Sequence, residues 1–296
     1  MSLTIGNTYS GAEFNELTKG LHFVRLTTES ENHNGFQYKT GLNVDILPFN
    51  PIGKCEPGGL YFCEVKLFVQ FIKYSDKLCV NMRNVTIPDD AKVYIMDDKY
   101  KTDKIILDVP IKIFQDYKLC MTVVNQDGHA LEYVKEQTPE LCMEAVKQDG
   151  LALEYVKEQT PELYMAAVKQ HGWALKYVKE QTPELCMEVV KQNGFALEYV
   201  KEQTPELCMT AIKQNGHALK FVKEQTPELC MAAVKQHSWA LKHVKEQTPE
   251  LCMEAVKQDG WALEYVKEQT PELCMAAVKQ NDQALEYVKK TNIFHM

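Results

Sequence analysis

The chain has little that would suit membrane insertion, nucleic-acid binding or catalysis. No apolar run approaches the roughly 20 residues that a membrane helix needs, and the amino terminus lacks a signal-peptide pattern. Basic residues are outnumbered, with 33 Lys and Arg against 41 Asp and Glu, which leaves a net charge of −8. A sequence-independent grip on phosphates needs a basic face, and this balance argues against one. No glutamate occurs between Val65 and Leu131. Phosphate-binding glycine loops, nucleophile–base pairs and His-rich metal helices are missing as well. These gaps predict a soluble intracellular protein with no cofactor, no metal, no nucleic-acid or membrane partner and no evident small-molecule substrate.

Disulfides are also not expected, although the chain has 10 cysteines. Seven of them (Cys120, Cys142, Cys186, Cys208, Cys230, Cys252 and Cys274) recur in one slot of a repeat. Equivalent atoms of stacked helices lie roughly 8–10 Å apart, beyond the reach of a disulfide. Tyr164 fills the same slot in one unit, so the position reads as a small buried apolar site. Cys55, Cys63 and Cys79 lack metal-finger spacing.

What the chain does have is periodicity. From Asp116 to Thr291 a 22-residue unit recurs eight times, as in T-P-E-L-C-M-E-A-V-K-Q-D-G-L-A-L-E-Y-V-K-E-Q from Thr138 to Gln159. A fixed period of this size marks a stacked array, and such arrays present extended surfaces to partners. Thr138 before Pro139 reads as a helix N-cap followed by proline at the first helical position. Asp116 takes the capping place in the first unit. The first helix is expected to run to about Gln148, with Gly150 closing it in a left-handed conformation. A shorter second helix is expected over Ala152 to Glu158. Leu141, Cys142, Ala145 and Val146 share one face, and Leu153 and Val156 form the matching stripe, flanked by Ala152 and Tyr155.

Residues 1–115 read as a small α+β domain. Strands are expected in the runs beginning at Leu21, Gly59, Ala91 and Asp103, and the best helix candidate is Val65 to Tyr74. The predicted organisation is this leader domain (1–115), an all-α solenoid of eight helical hairpins (116–291) and a short tail (292–296). The leader is expected to cover the apolar end of the first repeat.

The string A-V-K-Q-N/D-G-x-A-L-x-Y-V-K-E-Q-T-P-E-L-C resembles the uncharacterised 22-residue helical repeats of giant, Mimivirus-like DNA viruses of amoebae. N-G-F-Q-Y-K-T-G-L-N-V-D, P-G-G-L-Y-F and V-T-I-P-D-D-A-K-V-Y-I resemble the leader domain of those viruses' ankyrin-type repeat proteins, over Phe23 to Asp108. The resemblance implies a viral protein acting in the host cytoplasm, or carried in the virion, with a host or viral protein as partner. It brings no established activity.

The repeats differ at few slots, and those are the candidate partner-binding ridge. The residue after each glycine position reads His129, Leu151, Trp173, Phe195, His217, Trp239, Trp261 and Gln283. Three residues on, glutamate alternates with Lys176, Lys220 and Lys242. Positions i and i+3 share a helix face, so the aromatics and changing charges line one edge. Two readings of the aromatic slot stay open. It can cover the helix just ended, as Leu151 over Val146, or present partly exposed anchors of the kind that dominate interface hot spots. The leading function is a noncatalytic interaction scaffold, with a virion structural component as the alternative. A third reading rests on His22 and on Tyr61 within G-G-L-Y-F, loosely similar to ADP-ribosyltransferases that use a His-Tyr-Glu set. With glutamate missing, Asp97 or Asp103 would have to supply the carboxylate.

Overall fold

The computed structural model describes residues 3–33, 35–51, 56–74 and 77–289; Cys55 and the tail, 292–296, lie outside them. The chain forms two compact units, Met1–Leu141 and Cys142–Met296. The first repeat therefore lies within the amino-terminal unit.

That unit is built on antiparallel strands. They are β1 (Thr8–Ser10), β2 (Phe23–Thr27), β3 (Asn32–His33), β4 (Phe36–Gln37) and β5 (Gly41–Val44). Next come β6 (Leu60–Glu64), β7 (Lys73–Tyr74), β8 (Lys77–Leu78) and β9 (Asn81–Thr86). β10 (Lys92–Ile95), β11 (Tyr100–Thr102), β12 (Lys104–Leu107) and β13 (Ile111–Lys112) complete the series. The main sheet runs β1-β10-β11-β6-β2-β9-β12-β5, with β13 also on β9. Phe14, Phe23, Phe62 and Tyr100 meet in its core, with Phe14 and Phe23 ring centroids 5.1 Å apart and Phe62 and Tyr100 5.2 Å apart. Phe14 comes from the helix Gly11–Leu17, whose Ser10 and Glu13 form a reciprocal capping box.

The four strand runs expected from sequence form β2, β6, β10 and β12. The helix expected over Val65 to Tyr74 is instead a 3-10 helix, Val65–Phe71, followed by β7. Only Phe68 within that 3-10 helix is buried, too narrow an apolar stripe to hold a longer α-helix against the sheet. Within the same unit the first repeat helix, Tyr117–Val124, is tied down by Cys120, whose Sγ donates to the Ile113 carbonyl oxygen at 3.4 Å. The Phe114 and Tyr133 rings lie 5.4 Å apart beside it.

The carboxy-terminal unit is a helical solenoid. Each repeat starts as its sequence predicts: Thr204 sits in extended conformation, accepts from Leu207 N and precedes Pro205 at the first turn of the helix Pro205–Gln214. The second element differs. It is a 3-10 helix, Gly216–Phe221 here and Gly150–Tyr155 in the unit quoted above, not an α-helix over Ala152 to Glu158. Asn215 explains the change. Its own N–H closes the α-helix on the Ala211 carbonyl, its backbone is extended, and its side chain accepts from His217 N at 3.0 Å. One residue thus ends one helix and caps the next, which leaves no left-handed step between them. This unit buries Leu207, Cys208, Ala211, Ile212, Ala218, Leu219 and Val222, and most of the others bury the equivalent seven, whereas the unit from Thr160 buries six because Tyr164 is only half-buried.

The repeat glycines are consequently not left-handed; the positive-φ glycines among the described residues are all in the leader. They are needed for close approach. A Cβ on Gly194 would lie 2.5 Å from the Ala211 carbonyl oxygen of the following repeat, whereas one on Gly172 would meet nothing nearer than 3.7 Å. Gly194→Ala is expected to cost about 1–3 kcal/mol through overpacking, because the clash is with backbone. Gly172→Ala is expected to be neutral or to stabilise by about 0.4–1 kcal/mol. Urea denaturation of both variants checks this, and equal losses at the two sites would restore the left-handed reading. Buried Ser238 occupies the corresponding slot of another repeat, so a small side chain is tolerated there.

A row of glutamines joins successive repeats. Gln225 Nε2 donates to the carbonyl oxygens of Leu219 in its own repeat (3.3 Å) and His243 in the next (2.9 Å). Its Oε1 accepts from Lys245 N at 2.9 Å. Gln159, Gln181, Gln203, Gln247 and Gln269 make the same three bonds. Beside them Lys245 Nζ donates to the Lys223 carbonyl oxygen at 2.8 Å, a bond repeated along the array.

Candidate functional site

The 3-10 helices place the variable residues along one edge of the carboxy-terminal unit. In four repeats the residue after the glycine slot packs forward onto a ring of the next repeat. Trp239 lies 5.9 Å from Tyr265, Trp261 lies 6.0 Å from Tyr287, and Phe195 lies 6.0 Å from Phe221. His217 faces His243 at 5.7 Å in the same relation. Trp239 Nε1 also donates to Asp259 Oδ2 of the next repeat at 2.8 Å. The slot is therefore neither core nor free surface. Leu151, Phe195, His217, Trp239 and Trp261 are half-buried, while Trp173 is 53% exposed.

The lysines join this aromatic row. Lys220 Nζ sits over both Phe221 (4.3 Å) and Phe195 (5.2 Å), Lys242 over Tyr265 (5.9 Å) and Lys176 over Tyr177 (5.3 Å). All three lysines are exposed. Cations held over aromatic faces stay available to a second, anionic partner. Between Lys220 and Lys242 stands a histidine group, with His217 and His237 rings 4.4 Å apart. Burial and the neighbouring Lys242, His217 and Lys220 hold His243 down at about 4, so it is neutral at pH 7. His217 is lowered too, by burial first and then by His237 and the two lysines.

His129 belongs to the amino-terminal unit, where its N–H donates to Asp127 Oδ1 at 3.0 Å. The repeat cysteines are buried, and burial raises the thiols of Cys120, Cys142, Cys186, Cys208, Cys230 and Cys252 above the usual range. Among the described residues no group of three or more His, Cys, Asp or Glu side chains is placed to hold a metal. No helix among them is long and apolar enough to cross a membrane.

The residues singled out for ADP-ribosyl transfer lie apart in their bonding. Tyr61 is buried and its hydroxyl donates to the Glu56 carbonyl oxygen at 2.9 Å. His22 is exposed before β2, and its carbonyl oxygen accepts from Val65 N. Asp103 accepts from Lys92 N at 2.8 Å.

Sequence reasoning missed the forward packing of the aromatic slot and the histidine group. Both depend on the next repeat, although the 26-residue offset from Trp239 to Tyr265 is visible in the sequence once the 3-10 helix is known.

A family model described as "Domain of unknown function (DUF4116)" matches residues 116–160, 138–182, 160–204, 182–226, 204–248, 226–270 and 248–291. The chain is 30% identical over 135 residues to "Putative ankyrin repeat protein R896" of Acanthamoeba polyphaga mimivirus, covering 38% of this chain and 39% of that protein. It is 40% identical over 70 residues to "Uncharacterized protein R869" of the same virus, covering 23% and 48%. "Putative ankyrin repeat protein R868", also from that virus, is 32% identical over 94 residues, covering 29% and 45%. The matches thus span less than half the length of each of these relatives. No solved structure matches the chain.

Proposed function

The chain belongs to the family described as Domain of unknown function (DUF4116), and we propose that it is a noncatalytic scaffold that holds a protein partner along the aromatic and lysine edge of its repeats. The observation that carries this reading is the pairing of exposed Lys220 and Lys242 with the aromatic faces of Phe221 and Tyr265. On a chain of net charge −8, this edge offers a local cationic surface with flat apolar patches between the charges. A segment with carboxylates spaced by aromatic or aliphatic side chains fits it. The leader, 1–115, and the repeats, 116–291, act as separate contact modules, in the host cytoplasm of an infected cell.

Trp173, exposed and with no forward partner of the Trp239 type, is the anchor best separated from folding. Trp239 and Trp261 also hold the next repeat, so their loss mixes stability with binding. The test combines Trp173→Ala, Lys220→Glu and Lys242→Glu, with circular dichroism to verify the fold. Capture of partners from infected cells is expected to fall by about tenfold or more, as for loss of a hot-spot cluster. Unchanged capture by the folded variant would overturn the reading.

A further inference from the structure

The leader contains a positively charged cavity that the sequence does not announce. β2 and β6 pair only at Phe23 with Glu64 and Val24 with Cys63. Beyond that point the strands part, and a cavity of about 170 Å3 opens among residues of both. Arg25, His33, Lys77 and Lys99 line it, and no Asp or Glu is among its described lining residues. Arg25 is 8% exposed. Its Nη1 donates to the Tyr61 carbonyl oxygen at 2.8 Å and its guanidinium lies 4.6 Å from the Tyr38 ring centre. Its Nε has no hydrogen-bond partner, nor has the hydroxyl of Thr27, which is 4% exposed and lines the same cavity. No carboxylate pairs with Arg25 among the described residues.

Burying a guanidinium without a counter-charge and with an N–H unmet is costly, and such an arrangement calls for a partner in the adjoining space. Burial, then the charges of Arg25, Lys77 and Lys99, hold His33 down at about 4, which places all these groups around one space. Three permanent cations suit a dianion better than a single carboxylate, and guanidinium and ammonium donors match phosphate oxygens. Tyr61 and Phe71 also line the cavity, with Lys99 Nζ 5.2 Å and 5.9 Å from their ring centres. An apolar cavity of about 150 Å3 accepts benzene, so this space takes a phosphate and little more than a ring.

We propose that this cavity binds a small phosphate monoester, its phosphate among Arg25, Thr27, Lys77 and Lys99 and its organic group against Tyr61 and Phe71. Binding is noncovalent. The two cysteines on the wall are poor nucleophiles, because burial pushes Cys63 up to about 12 and raises Cys79 as well.

The full chain is titrated with phenyl phosphate by calorimetry and by chemical-shift mapping, with inorganic phosphate and phenol as the two partial probes. Saturable binding of phenyl phosphate is expected, tighter than either fragment. Arg25 is buried and its replacement can impair folding, so exposed Lys77 carries the decisive variant. Lys77→Glu is expected to weaken phenyl phosphate by about tenfold or more, in line with a lost charge-assisted contact. Absence of saturable binding to the wild-type chain, or an affinity unchanged in the folded Lys77→Glu variant, would overturn the proposal.

Discussion

Gln225→Ala is expected to cost the repeat array about 3 kcal/mol, a loss out of proportion to a half-exposed polar side chain. The replacement removes two donors and one acceptor at once, leaving the His243 carbonyl oxygen and the Lys245 N–H without their partner, while the Leu219 carbonyl oxygen keeps only Val222 N at 3.1 Å. An unmet backbone group costs roughly 1–3 kcal/mol where water is kept out, and of the groups released here the exposed Lys245 N–H is the one water rescues most easily. Gln225→Glu is the sharper variant because it keeps the size and the acceptor for Lys245. It turns the two donors into acceptors facing carbonyl oxygens, so near neutral pH it is expected to be at least as damaging as alanine. Repeat arrays need not unfold in one step, so a single denaturation midpoint can hide a local break. The decisive measurement is amide hydrogen exchange, in which Lys245 and its neighbours lose protection while distant repeats keep theirs. Full protection at Lys245, with a global change below about 0.5 kcal/mol, would show that the glutamine row is decoration. The same row fixes the backbone at Tyr199, Phe221, His243 and Tyr265, whose side chains build the candidate edge. Loosening it is therefore expected to disturb partner capture as well.

How much of this was legible depended on whether a feature is local to one repeat. Thr-Pro starts, the seven-residue apolar stripe and the end of the helix at Gln148 follow from chemistry within one unit, and the structure has them. The 3-10 helix is not legible because Gly150 suits a left-handed helix end equally well, whereas its role is to admit the Ala167 carbonyl oxygen of the next unit 2.6 Å from where a Cβ would be. Nothing within a single repeat distinguishes the two, since both demand glycine. The candidate edge was half legible. Its residues were identified by variation between units, but the forward stacking of Trp239 on Tyr265 needs the next repeat in place. In the leader, β9 escaped notice because its Asn81, Met82 and Arg83 are all buried, two of them polar, so the apolar alternation that signals a strand is absent. The cavity was invisible for a related reason. Arg25, Lys77 and Lys99 are far apart in sequence, and only the folded leader gathers them around one space.

The buried polar strand also carries the other large effect. Glu31→Ala is expected to destabilise the leader by about 3–5 kcal/mol, the usual result of removing one partner of a buried ion pair. Arg83 has a side chain only 5% exposed, and Glu31 16%. Arg83 reaches Glu31 through both Nε and Nη2, and its Nη1 donates to Thr40 Oγ1 and to the Asp108 carbonyl oxygen. Glu31 Oε1 also accepts from Asn81 Nδ2 at 3.3 Å. One carboxylate therefore satisfies two neighbouring polar residues of β9, and alanine leaves both without it. The pair holds more than its own strand. Glu31 adopts a left-handed φ of 51°, and the next two residues form β3, whose His33 lines the charged cavity. A double-mutant cycle separates the ion pair from the packing around it. Arg83→Met is expected to be strongly destabilising alone, whereas Glu31→Ala combined with Arg83→Met recovers part of the loss, because no charge is then left buried and unpaired. Thermal or urea unfolding of the three variants reads the coupling directly. Additive losses, with no recovery in the double variant, would mean that Glu31 acts through its turn conformation rather than through Arg83.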